Sequence, residues 1–106
     1  MASILEKDET ILEVINKLFD KFGESNFQLT NYWDSDLCAI GIKNSKDSNN
    51  LIYISTYKIK KKHYFVEVED SNQKVVLSGY KSGEFWERSF DELSEIIKEY
   101  LCLKPL

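Results

Sequence analysis

The spacing of the apolar residues changes twice along this chain, and the two changes restrict the folds it can form. Residues 8–22 carry apolar side chains at the spacing of one helix face, widened by Leu12 and Phe19. From Phe27 the spacing becomes two, which is typical of strands with one buried face. After Ser89 the helical spacing returns. The two predicted buried stripes are Ile11, Val14, Ile15, Leu18 and Phe22, and then Leu93, Ile96, Ile97, Tyr100 and Leu101.

The segment between the two helices is expected to form an antiparallel sheet of about five strands. Polar stretches between its apolar alternations predict turns. The predicted strands are residues 27–33, 37–43, 51–59, 63–69 and 74–80, and residues 84–87 form either a short edge strand or an irregular approach to the last helix. Because tight turns join neighbouring strands, we expect an α+β fold whose meander carries both helices on one face. Residues 1–106 are expected to form a single domain.

The helix ends carry their own signals. Residues 89–92, Ser-Phe-Asp-Glu, have the form of a capping box that begins the last helix. For the first helix the candidate boxes are Ser3 with Glu6, or Thr10 with Glu13. Gly23 is expected to end that helix, because glycine reaches positive φ at little cost.

The net charge of −4 favours a basic partner over a nucleic-acid backbone. The one basic cluster holds four lysines in residues 58–62 and is followed by His63, Tyr64 and Phe65. Lysines beside aromatic residues can bind single strands, but lysines at a hairpin turn also keep strand edges from pairing with other chains. No RNP-like pattern accompanies them, so the edge-guarding role is favoured and nucleic acid is not the expected partner.

The residue types that carry catalysis are too sparse here to predict an enzyme. His63 is the only histidine, and although it could act as a general base with Glu67, a solvated histidine is the favoured interpretation. Cys38 and Cys102 have the spacing of neither a disulfide framework nor paired metal ligands. The four glycines form neither a phosphate loop nor a nucleophile elbow. We therefore expect no catalytic residue, no metal and no cofactor.

The chain lacks the signals of export and of membrane insertion. Residues 1–7 do not combine a basic segment with an apolar run. No stretch approaches the roughly 20 apolar residues that span a bilayer. The sequence therefore predicts a cytoplasmic protein without a membrane partner.

Alternation along the strands separates core residues from a second face. On the fourth predicted strand Tyr64, Val66 and Val68 are assigned to the core, and the residues between them point the other way. That second face mixes aromatic and acidic side chains, which suits a protein interface because Tyr and Trp bury large areas with few rotamers. The expected partner-binding residues are Asp34, Asp36, Tyr53, Tyr57, His63, Phe65, Glu67, Glu69, Glu84 and Trp86.

Four segments taken together carry a resemblance to a bacterial family. They are YWDSD at 32–36, LIYIS at 51–55, YFVEVE at 64–69 and SFDEL at 89–93. With the size, acidity and element order of the chain, they look like the small immunity proteins of bacterial contact-dependent growth inhibition and related polymorphic toxin systems. The resemblance implies a cytoplasmic, non-enzymatic protein that binds and blocks a cognate toxin domain, often a nuclease with a basic cleft. It carries over no individual functional residue.

Two other functions stay open at this point. One is a small adaptor or secretion chaperone that holds an extended client protein on the sheet face or its edge. The other is a small nucleic-acid binder that uses the lysines of residues 58–62, for which binding would weaken steeply with salt.

Overall fold

The structure is a computed structural model that describes residues 7–30, 36–46, 50–70 and 84–106. It contains a five-stranded antiparallel meander, with one helix before it and one after it in the sequence. Within these residues the elements are α1 (Glu9–Phe22), β1 (Phe27–Thr30), β2 (Ala39–Asn44), β3 (Asn50–Ser55), β4 (His63–Asp70), β5 (Glu84–Ser89) and α2 (Phe90–Leu101). The strand order β1-β2-β3-β4-β5 follows the sequence. The predicted α+β fold is confirmed.

The described strands can be compared with the strands predicted from the sequence. The third strand was expected to reach residue 59, but β3 ends at Ser55, because Lys58 turns the chain with a φ of 54°. Residues 84–89 form the edge strand β5, which was one of two alternatives for that segment. The predicted strand 74–80 and the end of the predicted strand 27–33 lie outside the described residues.

Both helices pack on one face of the sheet, as predicted. Every residue of the two predicted helix stripes is buried. Their partners are the alternate residues of the strands, which point to the same side: Phe27, Ile40, Ile42, Ile52, Ile54, Tyr64, Val66 and Phe85. Branched side chains fill the central strands because they fit a pleated surface that is covered by helices. The core therefore lies between the sheet and the helix pair.

The two helices begin with different caps. The capping box predicted for α2 is confirmed: Ser89 Oγ accepts from Glu92 N at 3.2 Å, and Glu92 Oε1 accepts from Ser89 N at 3.0 Å. The box of Thr10 with Glu13 proposed for α1 is wrong, because the helix begins at Glu9 and its N-cap is Asp8. Residues 3 and 6, the other candidate box, lie outside the described residues.

Side chains from the sheet hold the C-terminal end of α2. Asn44 Nδ2 donates to the Leu101 carbonyl at 2.8 Å, and Asn50 Nδ2 donates to the Tyr100 carbonyl at 3.1 Å. Carbonyls at a helix end have no partner within the helix, so these amides satisfy acceptors that burial would otherwise leave unpaired. The two bonds also fix the position of α2 along β2 and β3.

The C-terminal end of α1 is closed by Gly23 and by the last residue of the chain. Gly23 adopts a φ of 92°, and its N–H donates to the Phe19 carbonyl at 2.9 Å. The Leu106 N–H donates to the Lys21 carbonyl at 2.7 Å, so the segment after α2 crosses the end of α1. A Cβ at position 23 would lie 3.0 Å from Asn26 Nδ2 and 3.2 Å from Leu106 Cδ2.

We predict that Gly23→Ala lowers the free energy of unfolding by about 1–3 kcal/mol, because an L side chain is strained at this φ and the site is crowded. Urea denaturation of the full chain measures the change. Glu24→Ala, one residue further in the same exposed turn, is the control and should stay within about 0.5 kcal/mol of the wild type. Equal effects of the two substitutions would contradict the assigned conformation.

The capping box also predicts a pH dependence. The Ser89 N–H bond, helped by Arg88, lowers the pKa of Glu92 below its ordinary value of 4.5. The carboxylate therefore stabilises the fold above that value, and the contribution is lost as the pH falls through the lowered pKa. Glu92→Gln should cost about 0.5 kcal/mol at neutral pH, and the difference from the wild type should shrink in acid.

Urea denaturation between pH 7 and pH 3 tests the capping prediction. Ser89→Ala is the control, because it removes the hydroxyl half of the box and leaves the Ser89 N–H to bond the Glu92 carboxylate. It should cost about 1 kcal/mol at neutral pH and keep most of the acid dependence of the wild type, because the Ser89 N–H is the largest cause of the lowered pKa of Glu92. A difference between the wild type and Glu92→Gln that is constant over this range would refute the role given to the Glu92 charge.

Candidate functional site

The side of the sheet opposite α1 and α2, here called the open face, carries most of the predicted binding residues. On β3 and β4 the core residues alternate with Tyr53, Phe65 and Glu67, which point to this open face. Neither described helix covers it. The β2 side of this face is not exposed, because Ala39 and Gly41 are buried there. The accessible part therefore lies over β3, β4 and β5.

Three aromatic side chains from consecutive strands touch one another on the open face and form what we call the aromatic row. The rings of Tyr53 and Phe65 meet edge to face with centroids 6.0 Å apart. The rings of Phe65 and Trp86 are closer, with centroids 4.3 Å apart. Trp86 remains 62% exposed although it rests against Phe65. The aromatic row is thus supported from below and accessible from above.

A β-bulge in β5 lies directly after Trp86, the β5 member of the aromatic row. Val66 pairs with Phe85 and Tyr64 pairs with Arg88, so Trp86 and Glu87 together oppose the single residue Phe65. The extra residue is accommodated by Glu87, whose φ is 50°. Bulges are common at sheet edges and beside functional sites. Alternation from Phe85 already places Trp86 against Phe65, and the extra residue Glu87 places Arg88 opposite Tyr64.

Acidic residues border the aromatic row at one end. Glu67 is paired in register with Tyr53 on one side and with Glu84 on the other. Side chains that are directly opposite in an antiparallel pair have Cβ atoms about 5 Å apart, so Glu67 and Glu84 are neighbours on this face. This part of the open face places two acidic side chains beside the aromatic row.

Asp36 is a structural neighbour of the aromatic row and does not extend the acidic end. Its Oδ1 accepts from Cys38 N at 3.0 Å, and its Oδ2 accepts from the Tyr53 hydroxyl at 3.3 Å. The buried Lys7 donates through Nζ to the Asp36 carbonyl at 2.7 Å. Burial raises the pKa of Tyr53, and the charges of Asp36 and Glu67 raise it as well. The hydroxyl therefore stays protonated and remains a donor that fixes the orientation of the ring.

The other predicted binding residues do not join this cluster. Tyr57 is in the turn after β3, and His63 is at the first position of β4, so both lie at the far end of the strands from Glu67. His63 Nδ1 is 3.0 Å from the Lys61 carbonyl. Asp34 and the side chain of Glu69 lie outside the described residues. The structure thus brings together Tyr53, Phe65, Glu67, Glu84 and Trp86, with Asp36 beneath Tyr53.

The proposed pairing of His63 with Glu67 in proton transfer is not supported by the geometry. The two residues are four positions apart on β4, roughly 13 Å along the strand, with Phe65 between them. Over the described ranges, the structure contains no group of three or more His, Cys, Asp or Glu residues that could hold a metal ion. No helix in this part of the chain is long and apolar enough to cross a membrane.

Two cavities among the described residues lie away from the aromatic row. One of about 260 Å³ is at the C-terminal end of α2, beside Asn44, Lys46 and Leu103. Another of about 60 Å³ lies between the β3–β4 turn and the start of α1. Small-molecule sites are usually concave, and the accessible part of the open face lines neither of these cavities.

Sequence reasoning missed three residues that belong to this region. Leu51 and Lys43 share the open face and pair with each other in register. Alternation from Tyr53 would have identified Leu51, since it is two positions away on the same strand. Lys7, which is only 6% exposed, supports Asp36 from 29 residues away, and no local signal in the sequence indicates that contact.

We predict that the bulge tolerates glycine better than alanine at position 87. Both substitutions remove the carboxylate, but only alanine retains a side chain at a φ of 50°. Glu87→Gly should therefore be more stable than Glu87→Ala by about 1 kcal/mol, measured by urea denaturation. The same pair of substitutions at Glu24, an exposed turn position without a positive φ, should favour alanine. If alanine is the more stable at both positions, the left-handed conformation of Glu87 is wrong.

Comparison with known proteins adds no further assignment. No protein family model matches this chain, and no curated protein or solved structure is significantly similar to it.

Proposed function

We propose that this chain is a non-enzymatic immunity protein that binds a cognate toxin domain in the cytoplasm and blocks it. The observation that carries the proposal is the aromatic row of Tyr53, Phe65 and Trp86 on a face that neither helix covers. The element order and acidity that resemble immunity proteins agree with this function. The occupant of the open face is a folded, basic protein surface, such as the nucleic-acid cleft of a nuclease.

The aromatic row has the features of a binding hot spot. Trp and Tyr are enriched among residues that dominate binding energy, because they bury a large area at a small cost in conformational entropy. Trp86 is 62% exposed and rests on Phe65, so most of its ring can be buried by a partner without rearrangement. Tyr53 is already held by its hydroxyl bond to Asp36. Such preorganisation reduces the entropic cost of association.

The charges of the open face favour a basic partner. Glu67 and Glu84 lie side by side next to the aromatic row, and the whole chain has a net charge of −4. Complementary charge accelerates encounter with a cationic surface, and buried aromatic anchors slow dissociation. A toxin that cleaves nucleic acid must present a basic substrate cleft, which an acidic inhibitor can cover.

We predict that Trp86→Ala and Phe65→Ala each weaken binding to the cognate toxin domain by about 2 kcal/mol or more, roughly 30-fold in affinity. The partner is first identified by co-purification from the native cell. Its isolated toxic domain is then titrated with each variant by calorimetry, and growth of cells that express the domain is scored with and without this chain. The wild type should restore growth, and the two variants should protect poorly.

Leu106→Ala is the matched control for loss of an exposed apolar side chain. Leu106 is 83% exposed and bonds the end of α1, away from the open face. The proposal fails if Leu106→Ala weakens binding as much as Trp86→Ala does. It also fails if the partner is bound only after it has been denatured, because a chaperone requires an unfolded client and an immunity protein requires the folded toxin.

A further inference from the structure

The turn between β3 and β4 forms a second charged surface, here called the lysine turn, over residues 57–63. Lys58, Lys60, Lys61 and Lys62 are all exposed there. Tyr57 at its start is 62% exposed, and Lys58 Nζ lies 5.4 Å from the centroid of its ring. Four ammonium groups and an accessible phenol ring are thus gathered within a few residues.

The role expected from the sequence for these lysines, protection of sheet edges, is wrong. In the strand order β3 lies between β2 and β4, and β4 lies between β3 and β5. The lysine turn therefore joins two interior strands, both of whose backbone edges are already paired. Lysines protect a sheet from aggregation when they lie on an edge strand with unpaired backbone groups. The two strands beside this turn are not edge strands. The concentration of charge here needs another explanation.

The backbone of the lysine turn is unusual for lysine. Lys58 has a φ of 54° and Lys62 has a φ of 62°. Glycine and asparagine reach this region at lower cost, and they are the common residues at such turn positions. Lysine at these two positions keeps a positive charge in the turn but costs conformational energy, because its side chain disfavours positive φ. Backbone strain of this kind is typical of functional segments.

Several hydrogen bonds hold the lysine turn in one shape. Thr56 N donates to the Cys38 carbonyl at 2.9 Å, and Ile59 N donates to the Thr56 carbonyl at 3.2 Å. His63 N donates to the Lys60 carbonyl at 3.0 Å. The Thr56 hydroxyl is 2.6 Å from that of Thr10 in α1, which attaches the turn to the helix layer. A fixed loop of this kind presents its charges without a large loss of entropy on binding.

We propose that the lysine turn binds single-stranded nucleic acid, with the four lysines on successive phosphates and one base stacked on Tyr57. Positive charge that follows the backbone and an aromatic platform for a base are the two elements by which proteins bind single strands without sequence preference. The site is separate from the aromatic row, and the inference does not rest on the proposed immunity function.

Within the described ranges, the acidic groups that adjoin the lysine turn already have partners in α1. Glu67 is roughly 13 Å along β4 from His63, beyond the distance of about 10 Å at which salt screens charges at 0.1 M ionic strength. Two acids adjoin the turn. Glu13 lines the small cavity under it, with its carboxylate 3.4 Å from Lys17 Nζ, and Asp8 accepts from the Thr10 hydroxyl that contacts Thr56. A ligand at the lysine turn therefore meets four ammonium groups beside two carboxylates that already bond to α1 residues.

Fluorescence anisotropy with a labelled 12-nucleotide oligo(U) tests the proposal on the full chain. Binding at about 50 mM salt should weaken as salt rises, with a slope of log K against log salt of up to about −3 for four phosphate contacts. Neutralising the turn with Lys58→Asn, Lys60→Gln, Lys61→Gln and Lys62→Asn should weaken binding roughly tenfold or more. Asparagine is used where φ is positive, so that the turn keeps its shape.

The matched control removes four exposed or partly exposed lysines elsewhere, by Lys21→Gln, Lys46→Gln, Lys98→Gln and Lys104→Gln. It gives the same net charge as the turn variant and should bind nearly as the wild type does. Tyr57→Ala should lose about fivefold or more in affinity and Tyr57→Phe should not, because phenylalanine still stacks. Circular dichroism of each variant confirms that the fold is kept.

Three results would overturn the proposal. The first is no binding of oligo(U) up to about 100 μM protein at low salt. The second is equal loss of affinity in the control and in the turn variant, which would assign binding to net charge alone. The third is displacement of oligo(U) by a polyglutamate peptide with no effect of Tyr57→Ala, which would indicate an acidic protein segment as the ligand.

Discussion

Burial of the apolar stripes of α1 and α2 against a single face of the sheet is the interaction on which the rest of the structure depends. The stripe residues and the alternate residues of the strands form one continuous core. Because side chains alternate along a strand, filling one face with Ile52, Ile54, Tyr64 and Val66 places the intervening residues on the other. Both helices occupy the core side, so the open face can keep its aromatic and acidic groups accessible.

The central hairpin of β3 and β4 carries both proposed surfaces. The lysine turn is at one end of the hairpin, the aromatic row crosses its middle, and Glu67 lies toward the other end. The separation of charge along two strands allows an acidic surface and a basic surface to operate on one small domain. The separation also sets the orientation of a partner on the open face. A basic region of the partner can lie beside Glu67, but beside the lysine turn it would be repelled by like charge.

The fold could be predicted from the sequence because local patterns determine most of it. Helix stripes, the Ser89 capping box and the alternation of Tyr64 with Phe65 each depend on residues a few positions apart. The details of the site could not be predicted from the sequence, because they depend on contacts between distant segments or on a backbone conformation without a sequence signal. The bulge of β5 has glutamate as its left-handed residue, so the usual glycine signal is missing. The contact of Lys7 with Asp36 joins residues 29 positions apart.

The position of α2 after all five strands affects how the molecule is made. Each described strand pairs with its sequence neighbour, so hairpins can close while the chain is still being synthesised. The side of those hairpins that packs against Leu93, Ile97 and Leu101 has no cover from α2 until that helix has left the ribosome. During that interval the nascent sheet exposes apolar strands, which makes it a substrate for ribosome-associated chaperones and a risk for aggregation.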